Sequence, residues 1–518
     1  MNALLVLFGG RLSNEAFEPV FNGKNSAALA LEQAKKFPGV GKTALLACQG
    51  DFPFLNDVQI EQRDAWTKRS LLEKIAELQA GFDCAYFAFA DCPFLDPALA
   101  GAVAQRHLRY SAEYSYADGW PYGLAPEVLS PGTAGILAKI LGEDDGPVER
   151  DVLFSVIQKD INAFDIEAEI SPVDLRCHRI SFCADSKRSL MLLKNFIAAE
   201  GGKIPDAAGV EKIIKRQPEI LRTLPSFYPV QVSGGCPQKC AICPYPAHAD
   251  SAGRGDFMDS GKFESLLDKI AAFSGDAVID LSLWGELSLH PEKLKLIEAV
   301  ISRGCLALII ETSGLGWKTE ELEKCAELSK NSGAQRNHLP PLSWIVSLDT
   351  ADPDRYAQLR GAGFAEAQAC AKKLFSLFPK DCYVQAVRLR DEEEGTGKFY
   401  RYWKEAAPFG EANIIIQKYD CFCGKLEKRQ ASDISPLVRQ NCWHIMRDMP
   451  VLIDGTVPLC KEDLSALKEN GGGIILGNVF ADSLESIWQN GERHYREQCE
   501  KNYAGLCADC DEYYTYNF

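Results

Sequence analysis

The segment Gly235-Cys236-Pro237-Gln238-Lys239-Cys240-Ala241-Ile242-Cys243 carries three cysteines at C-x3-C-x2-C spacing. Three thiolates on one short loop can hold three corners of a cubane cluster, and thiolate is the normal protein ligand for iron–sulfur clusters. No fourth cysteine lies nearby, so one iron stays open to a substrate or cofactor, as in open catalytic metal sites generally. An incomplete zinc knuckle is the plainer alternative, but zinc sites normally use paired C-x2-C units. A second group lies near the C-terminus. Cys442 and Cys460 bracket C-x12-G-x4-C around Gly455, and Cys507-Ala508-Asp509-Cys510 supplies C-x2-C. Asp454-Gly455, flanked by β-branched residues, signals a hairpin that would bring Cys460 back toward the chain entering it. Cys421, Cys423 and Cys499 fit no full pattern and read as structural or free. Cys48, Cys84, Cys177, Cys305, Cys325, Cys370 and Cys382 stand singly and read as small buried apolar residues.

The C-x3-C-x2-C loop resembles that of the radical S-adenosylmethionine superfamily. The resemblance implies that the open iron chelates the amino and carboxylate groups of the cofactor, and that its reductive cleavage gives a 5′-deoxyadenosyl radical. Ile242 then stands where the superfamily places an apolar residue near the adenine. Leu283-Trp284-Gly285-Glu286 resembles the family G-G-E segment, with Trp284 in place of the first glycine; Gly285 and Glu286 become contacts for the cofactor amino group. Ser313 falls where a ribose contact is common. Ser347-Leu348-Asp349 resembles the next strand's S-x-D segment, and Arg360-Gly361 follows, which makes Ser347 and Arg360 candidate contacts to carboxylate or ribose. Arginine suits that role because its fork matches a carboxylate. At the C-terminus, Gly477-Asn478-Val479 and Leu484-Glu485-Ser486-Ile487-Trp488 resemble the G-N-V…S-L-x-x-I-W stretch of SPASM domains. Full SPASM domains have seven cysteines and two auxiliary clusters. This chain has only eight residues after Cys510, none a cysteine. One auxiliary 4Fe–4S cluster on Cys442, Cys460, Cys507 and Cys510 is the simplest expectation, with a four-cysteine zinc site as the alternative.

Residues 1–205 loosely resemble cytidylyltransferase-like sugar nucleotidyltransferases. Phe87-Ala88-Phe89-Ala90-Asp91 looks like their strand-end aspartate motif, and Asp185-Ser186-Lys187-Arg188-Ser189-Leu190 is similar to a segment near their domain end. Their glycine-rich phosphate loop is reduced to Gly9-Gly10-Arg11. A phosphate cradle needs glycines so that backbone N–H groups can approach the anion. A degenerate domain is expected, with Asp91 either holding a metal or capping the following turn. The three-part layout resembles the spiro-SPASM family.

The elements that must position these residues follow from pattern. Strands are expected at Ala3–Phe8, Thr43–Gln49 and Cys84–Ala90, then at Val230–Ser233, Val278–Trp284, Ala307–Thr312, Trp344–Leu348, Tyr383–Leu389 and Asn413–Lys418. Helices are expected at Ser189–Ala199, Lys262–Phe273, Pro291–Ser302, Glu320–Lys330 and Ala365–Phe378. The fold class is α/β. A Rossmann-like nucleotidyltransferase-type domain (1–205) precedes a partial (β/α)6 radical SAM barrel (206–420) and a truncated SPASM domain (421–518), with the active site beyond the strand C-terminal ends. Composition is ordinary for a globular protein, 46% hydrophobic and 25% charged. The net charge of −16 disfavours nucleic-acid binding. The apolar N-terminus lacks a basic n-region, and no run reaches the ~20 residues needed to span a bilayer. A cytoplasmic protein with no membrane partner is expected, with the 4Fe–4S clusters and S-adenosylmethionine as cofactors. The expected partners are a low-potential donor such as flavodoxin or ferredoxin and an unidentified substrate, a peptide or protein being the leading candidate. An iron–sulfur redox or sensor protein without turnover, and a bifunctional enzyme with an active head, are the alternatives.

Overall fold

Ala3–Gly9 (β1) is apolar throughout and buried at every position, as a strand covered on both faces requires. The computed structural model describes residues 1–10, 12–48, 58–249, 253–332, 339–406, 413–432, 435–467, 472–503 and 505–513. Two units emerge, Met1–Thr223 and Leu224–Phe518. In the first, a small hairpin of Pro19–Phe21 (β2) and Lys24–Asn25 (β3) follows β1. Six strands follow it: Val40–Cys48 (β4), Gln59–Arg63 (β5), Cys84–Phe89 (β6), Tyr114–Asp118 (β7), Glu127–Leu129 (β8) and Ile166–Ile170 (β9). With β1 they form a seven-stranded sheet in the order β5-β4-β1-β6-β8-β7-β9. All neighbours are parallel except β8, which is antiparallel to both β6 and β7. The expected strands at positions 3, 43 and 84 are all present; Arg11 and Gln49 lie outside the described residues.

The two head aspartates singled out by sequence meet at one guanidinium. Arg150 donates from Nη1 to Asp91 Oδ1 at 2.7 Å, from Nη2 to Asp91 Oδ2 at 2.5 Å, and from Nη2 to Asp185 at 3.2 Å. The same guanidinium lies 4.7 Å from the Phe89 ring centroid. The capping role expected of Asp91 belongs instead to Asp96, which accepts from the N–H groups of Ala98 and Leu99. Ser186 caps Lys187–Ala199 in a reciprocal box with Ser189. Cys92 and Cys183, buried beside Asp91, bring their sulfurs to 3.5 Å. Cys177 is exposed, and Cys48 and Cys305 are half-buried, which corrects the expectation that these single cysteines are core residues; Cys84, Cys325, Cys370 and Cys382 are buried.

In the second unit six strands follow one another in space in chain order: Phe227–Pro229 (β10), Val278–Asp280 (β11), Ala307–Thr312 (β12), Leu342–Ser347 (β13), Cys382–Arg388 (β14) and Ile414–Lys418 (β15). Every neighbouring pair is parallel. Helices Ser260–Phe273, Lys293–Ser302, Thr319–Asn331 and Phe364–Leu377 connect them, within two residues of the sequence expectation. The first strand begins three residues before the expected Val230, because Phe227–Pro229 is what pairs with β11. The opposite edge of this strand has its own neighbour. Arg447 C=O accepts from Ser226 N–H, Met449 N–H donates to Phe227 C=O, Val451 N–H donates to Pro229 C=O, and Gln231 N–H donates back to Val451 C=O. The C-terminal segment thus covers the β10 edge, which would otherwise offer unpaired backbone groups.

The Asp454-Gly455 turn forms as expected, with Gly455 at φ +88° and Leu452 N–H donating to Thr456 C=O. The longer pairing is different from a local hairpin: Thr456–Pro458 (β16) lies antiparallel to Ile475–Asn478 (β17). Lys269 on the helix Ser260–Phe273 donates to the carbonyls of Val479 and Asp482, tying the tail to the sheet layer. Among the described residues, no helix is long and apolar enough to cross a membrane.

Removing Arg150 would strand the Asp91 carboxylate, whose side chain is 3% exposed. Arg150→Met should destabilise the protein by about 3 kcal/mol, the low end for a broken buried pair because Arg150 is partly open to solvent. Asp91→Asn on that background should restore most of the loss in a denaturant titration.

Candidate cluster and cofactor site

The cysteine loop leaves β10 and is fixed on two sides. On one side Gly285 approaches Ser233 so closely that a Cβ on Gly285 would lie 1.7 Å from the Ser233 carbonyl oxygen. Glu286 N–H then donates to Gly235 C=O at 2.7 Å. On the other side Arg360 ends the helix Pro353–Leu359. Its carbonyl accepts from Lys239 N–H, and Leu359 C=O accepts from Ala241 N–H. Its Nε donates to Gln238 at 3.0 Å and its Nη1 to Asp349 at 2.5 Å, while Gln238 donates to the Tyr356 hydroxyl at 2.6 Å. Trp284 (φ +46°) and Asp349 (φ +62°) sit in the left-handed region beside these two anchors. Such backbone strain persists only where surrounding contacts impose it, and it gathers at functional sites.

A cavity of about 290 Å³ opens at the C-terminal ends of the parallel strands. Cys236, Cys240, Cys243, Ile242, Gly285, Glu286, Ser313, Ser347 and Arg360 all line it, so every barrel residue singled out from the sequence converges on one space. Burial pushes the Cys236 thiol up to about 11 and the Cys243 thiol to about 12, against N–H groups of Gln238 and Tyr245 that point at the sulfurs. Such N–H···S bonds, and the nearby Arg360 guanidinium, suit thiolates holding a metal cluster. Glu286 is 4% exposed; its two carboxylate oxygens accept from the Thr312 hydroxyl at 2.6 Å and from Ser313 N–H at 2.8 Å. Burial raises its carboxyl above the usual range despite these bonds. An ammonium group placed beside it would favour the charged form. Ser347 donates to Glu311 at 2.5 Å, and Gln385 donates to the same oxygen at 2.8 Å.

Glu311 and Gln385 were not evident in the sequence, nor was the charged group on the other side of the cavity. Asp280 at the end of β11, Lys418 and Asp420 at the end of β15, and Lys461, Glu462 and Glu512 from the tail all line it. Burial lifts Asp280 to about 6. Burial, then the Glu462 and Glu512 charges, lift Asp420 to about 9. Burial opposes the Lys461 ammonium, but Glu462, Asp448, Asp420 and Asp280 outweigh it and hold the charge. Lys418 bridges Asp511 at 3.1 Å and Glu512.

The tail cysteines cluster without lining the cavity. Cys442 accepts from the N–H groups of Ile445 and His444, Cys460 from Glu462 N–H at 3.5 Å, and Cys510 from Glu512 N–H at 3.3 Å. Cys507 accepts from the Gln498 amide at 3.4 Å. The structure adds Cys423 to this group: its thiol is hydrogen-bonded with Cys510, and Cys460 lies near enough to act on it electrostatically. Cys499 instead receives the Asn441 amide at 3.0 Å.

Residues 442–511 match the family model of the SPASM iron–sulfur cluster-binding domain. An uncharacterized protein of Treponema pallidum (strain Nichols) is 34% identical over 377 residues, 71% of this chain and 98% of that protein. A second uncharacterized protein of the same organism is 35% identical over 86 residues, 17% of this chain and 39% of its own. Among solved structures, a cytidylyltransferase from Leptospira borgpetersenii serovar Hardjo-bovis is 16% identical, covering 42% of this chain and 95% of its own, with a TM-score of 0.36. Streptococcus suis SuiB bound to the precursor peptide SuiA is 13% identical over 65% of this chain and 78% of its own, with a TM-score of 0.37.

With Cys236, Cys240 and Cys243 all changed to alanine, about four iron and four sulfide per chain should remain on the tail. Cys442→Ala on that background should abolish them. Cys510→Ala should retain part of the iron, because Cys423 stands beside the lost ligand, and the Cys423→Ala/Cys510→Ala pair should retain none. Iron and sulfide analysis after anaerobic reconstitution reads each case.

Proposed function

We infer that this chain, which belongs to the radical S-adenosylmethionine/SPASM superfamily, is an enzyme that reductively cleaves S-adenosylmethionine to modify a C–H bond of its substrate. The observation that carries the reading is the convergence of three loop cysteines with Glu286, Ser313, Ser347 and Arg360 in one cavity at the strand ends. Cys236, Cys240 and Cys243 would hold a 4Fe–4S cluster. That cluster would supply an open iron and the electron for reductive cleavage of the cofactor, and the cofactor would supply the hydrogen-abstracting chemistry. The chain's own groups do the rest. Glu286 keeps spare lone pairs beyond Thr312 and Ser313 and offers them to the cofactor ammonium. Ile242 gives an apolar wall for adenine. Ser313 and Ser347 present hydroxyls to the ribose or carboxylate. Arg360 positions the cysteine loop through Gln238 and brings positive charge to the same wall.

The tail would hold one further cluster on Cys442, Cys460, Cys507 and Cys510, which passes electrons or stiffens the fold. A low-potential donor such as flavodoxin or ferredoxin would deliver electrons, and a peptide or protein remains the leading substrate class. The head is read as a non-catalytic domain, since the aspartates a divalent cation would need are engaged by Arg150.

Reduced, reconstituted protein should release 5′-deoxyadenosine slowly without substrate. The Cys236/Cys240/Cys243 triple alanine variant should release none, and continued release would overturn the assignment. Glu286→Gln should keep its iron but lose about tenfold in cofactor affinity, the loss of one charge-assisted contact.

A further inference from the structure

Leu437 and Val438 are exposed, and Arg439, which follows them, is half-buried. Turning the cation inward and the apolar pair outward needs a physical reason. The Arg439 guanidinium carbon lies 3.9 Å from the Tyr503 ring centroid and 4.5 Å from that of Tyr513. Its Nη2 donates to Cys507 C=O at 2.7 Å. Lys501 Nζ and the Tyr503 hydroxyl donate to Arg439 C=O at 2.9 and 3.4 Å, which fixes the backbone behind the side chain. Tyr513 C=O accepts from the N–H of Trp443, the residue after Cys442, at 3.0 Å. The guanidinium is thus bound directly to one tail cysteine and, through Tyr513, tied to the neighbour of another.

The protein groups around this side chain leave it incomplete. Arg439 Nε is buried and donates to no acceptor among the described residues. No carboxylate among the described residues pairs with the guanidinium. The other cations of this region are already compensated, Lys418 by Asp511 and Glu512, and Lys461 by the charges of Glu462, Asp448, Asp420 and Asp280. Aromatic faces offset part of the cost of burying a cation, but they give Nε–H no acceptor and the charge no anion. A cubane held by four thiolates supplies both. It is a net anion, its sulfurs accept hydrogen bonds, and one-electron reduction adds a further negative charge. Orphaned buried N–H groups are rare in folded proteins, and this one suits that group.

We propose that Arg439 is the counter-cation of the tail cluster, a positioning residue that sets positive charge and an N–H donor against it and raises its reduction potential. The inference rests on the tail-cluster reading above and decides between the two roles given there. A cation stabilises the reduced cluster more than the oxidised one, because the reduced one carries the larger negative charge. That favours electron transfer over scaffolding. In the step itself an external low-potential reductant gives up one electron and the cluster takes it, with no bond made or broken.

The test uses the full chain with Cys236, Cys240 and Cys243 changed to alanine, so that only the tail cluster contributes. After anaerobic reconstitution, iron and sulfide are counted. The cluster is then titrated with dithionite in the presence of mediator dyes and read by electron paramagnetic resonance. Arg439→Gln, which keeps a polar side chain without the charge, should move the midpoint to more negative potential. Arg439→Lys, which keeps the charge, should recover most of that shift. A merely structural Arg439 would change iron content or thermal stability and leave the midpoint of the loaded cluster in place. An unchanged or more positive midpoint in Arg439→Gln, or an equal shift in both variants, overturns the proposal. Should Arg439→Gln fail to load iron, the parent chain labelled with ¹⁵N in its arginine guanidino groups decides by pulsed resonance. A ¹⁵N coupling to the reduced cluster supports the proposal, and its absence overturns it. A parent chain that holds no iron, or holds zinc, sinks the tail-cluster reading and this inference with it. A loaded cluster whose midpoint ignores Arg439 sinks this inference alone.

Discussion

The cysteine loop has no regular structure of its own, and three sulfurs on such a loop can converge on one cluster only if its backbone is immobile. The contact that ensures this is the approach of Gly285 to Ser233, where no side chain fits. That approach turns Glu286 N–H onto Gly235 and at the same time buries the Glu286 carboxylate under Thr312 and Ser313. The Arg360 anchor does the same work from the opposite side, and Asp349 holds Arg360 while accepting from Val387 N–H. One anchor therefore comes from the loop after β11, and the other from the helix end after β13, held by Asp349 just past that strand. Cluster geometry and cofactor geometry are set by the same few bonds, so neither can be altered alone.

The tail joins this site through a repeated short pattern. Cys460-Lys461-Glu462 and Cys510-Asp511-Glu512 both place a cysteine two residues before a glutamate. In each, the glutamate N–H turns back to the cysteine sulfur and its side chain faces the cavity. The charge on an auxiliary cluster would thus be felt one hydrogen bond away from the residues whose carboxyl groups line the cavity. The separation of a tail domain from a barrel by sequence pattern is less evident in space, since Leu224–Phe518 forms one unit.

What was legible in the sequence was whatever repeats or is spaced. The connecting helices show apolar periodicity over three or four turns and were read to within two residues. The cysteine loop declares itself by spacing, and Gly285-Glu286 by order along successive strands. Isolated polar residues were not legible. Glu311 follows the apolar run Ala-Leu-Ile-Ile of β12 beside Thr312, where a polar strand end is ordinary. Asp420, Lys461 and Glu462 look like ordinary surface charge in a polar stretch, and only tertiary folding buries them. The first strand lies before the expected one, and the Pro229 carbonyl at its end is what the tail uses. Asp91 was read as a cap or a metal ligand because its partner, Arg150, lies 59 residues away.

The pairing of residues 447–451 with the β10 edge carries a consequence for biogenesis. A ribosome delivers the six-stranded sheet before it delivers the segment that closes its first edge. From the emergence of β15 until Val451 is free, the nascent chain holds a complete parallel sheet whose leading strand, the one that runs into the cysteine loop, is bare along one side. Bare strand edges recruit other strands, and slow parallel sheets are most exposed to this while incomplete. Cluster insertion into the loop would therefore be safest as a late event, after the last fifth of the chain has been made and the loop's own strand has been sealed.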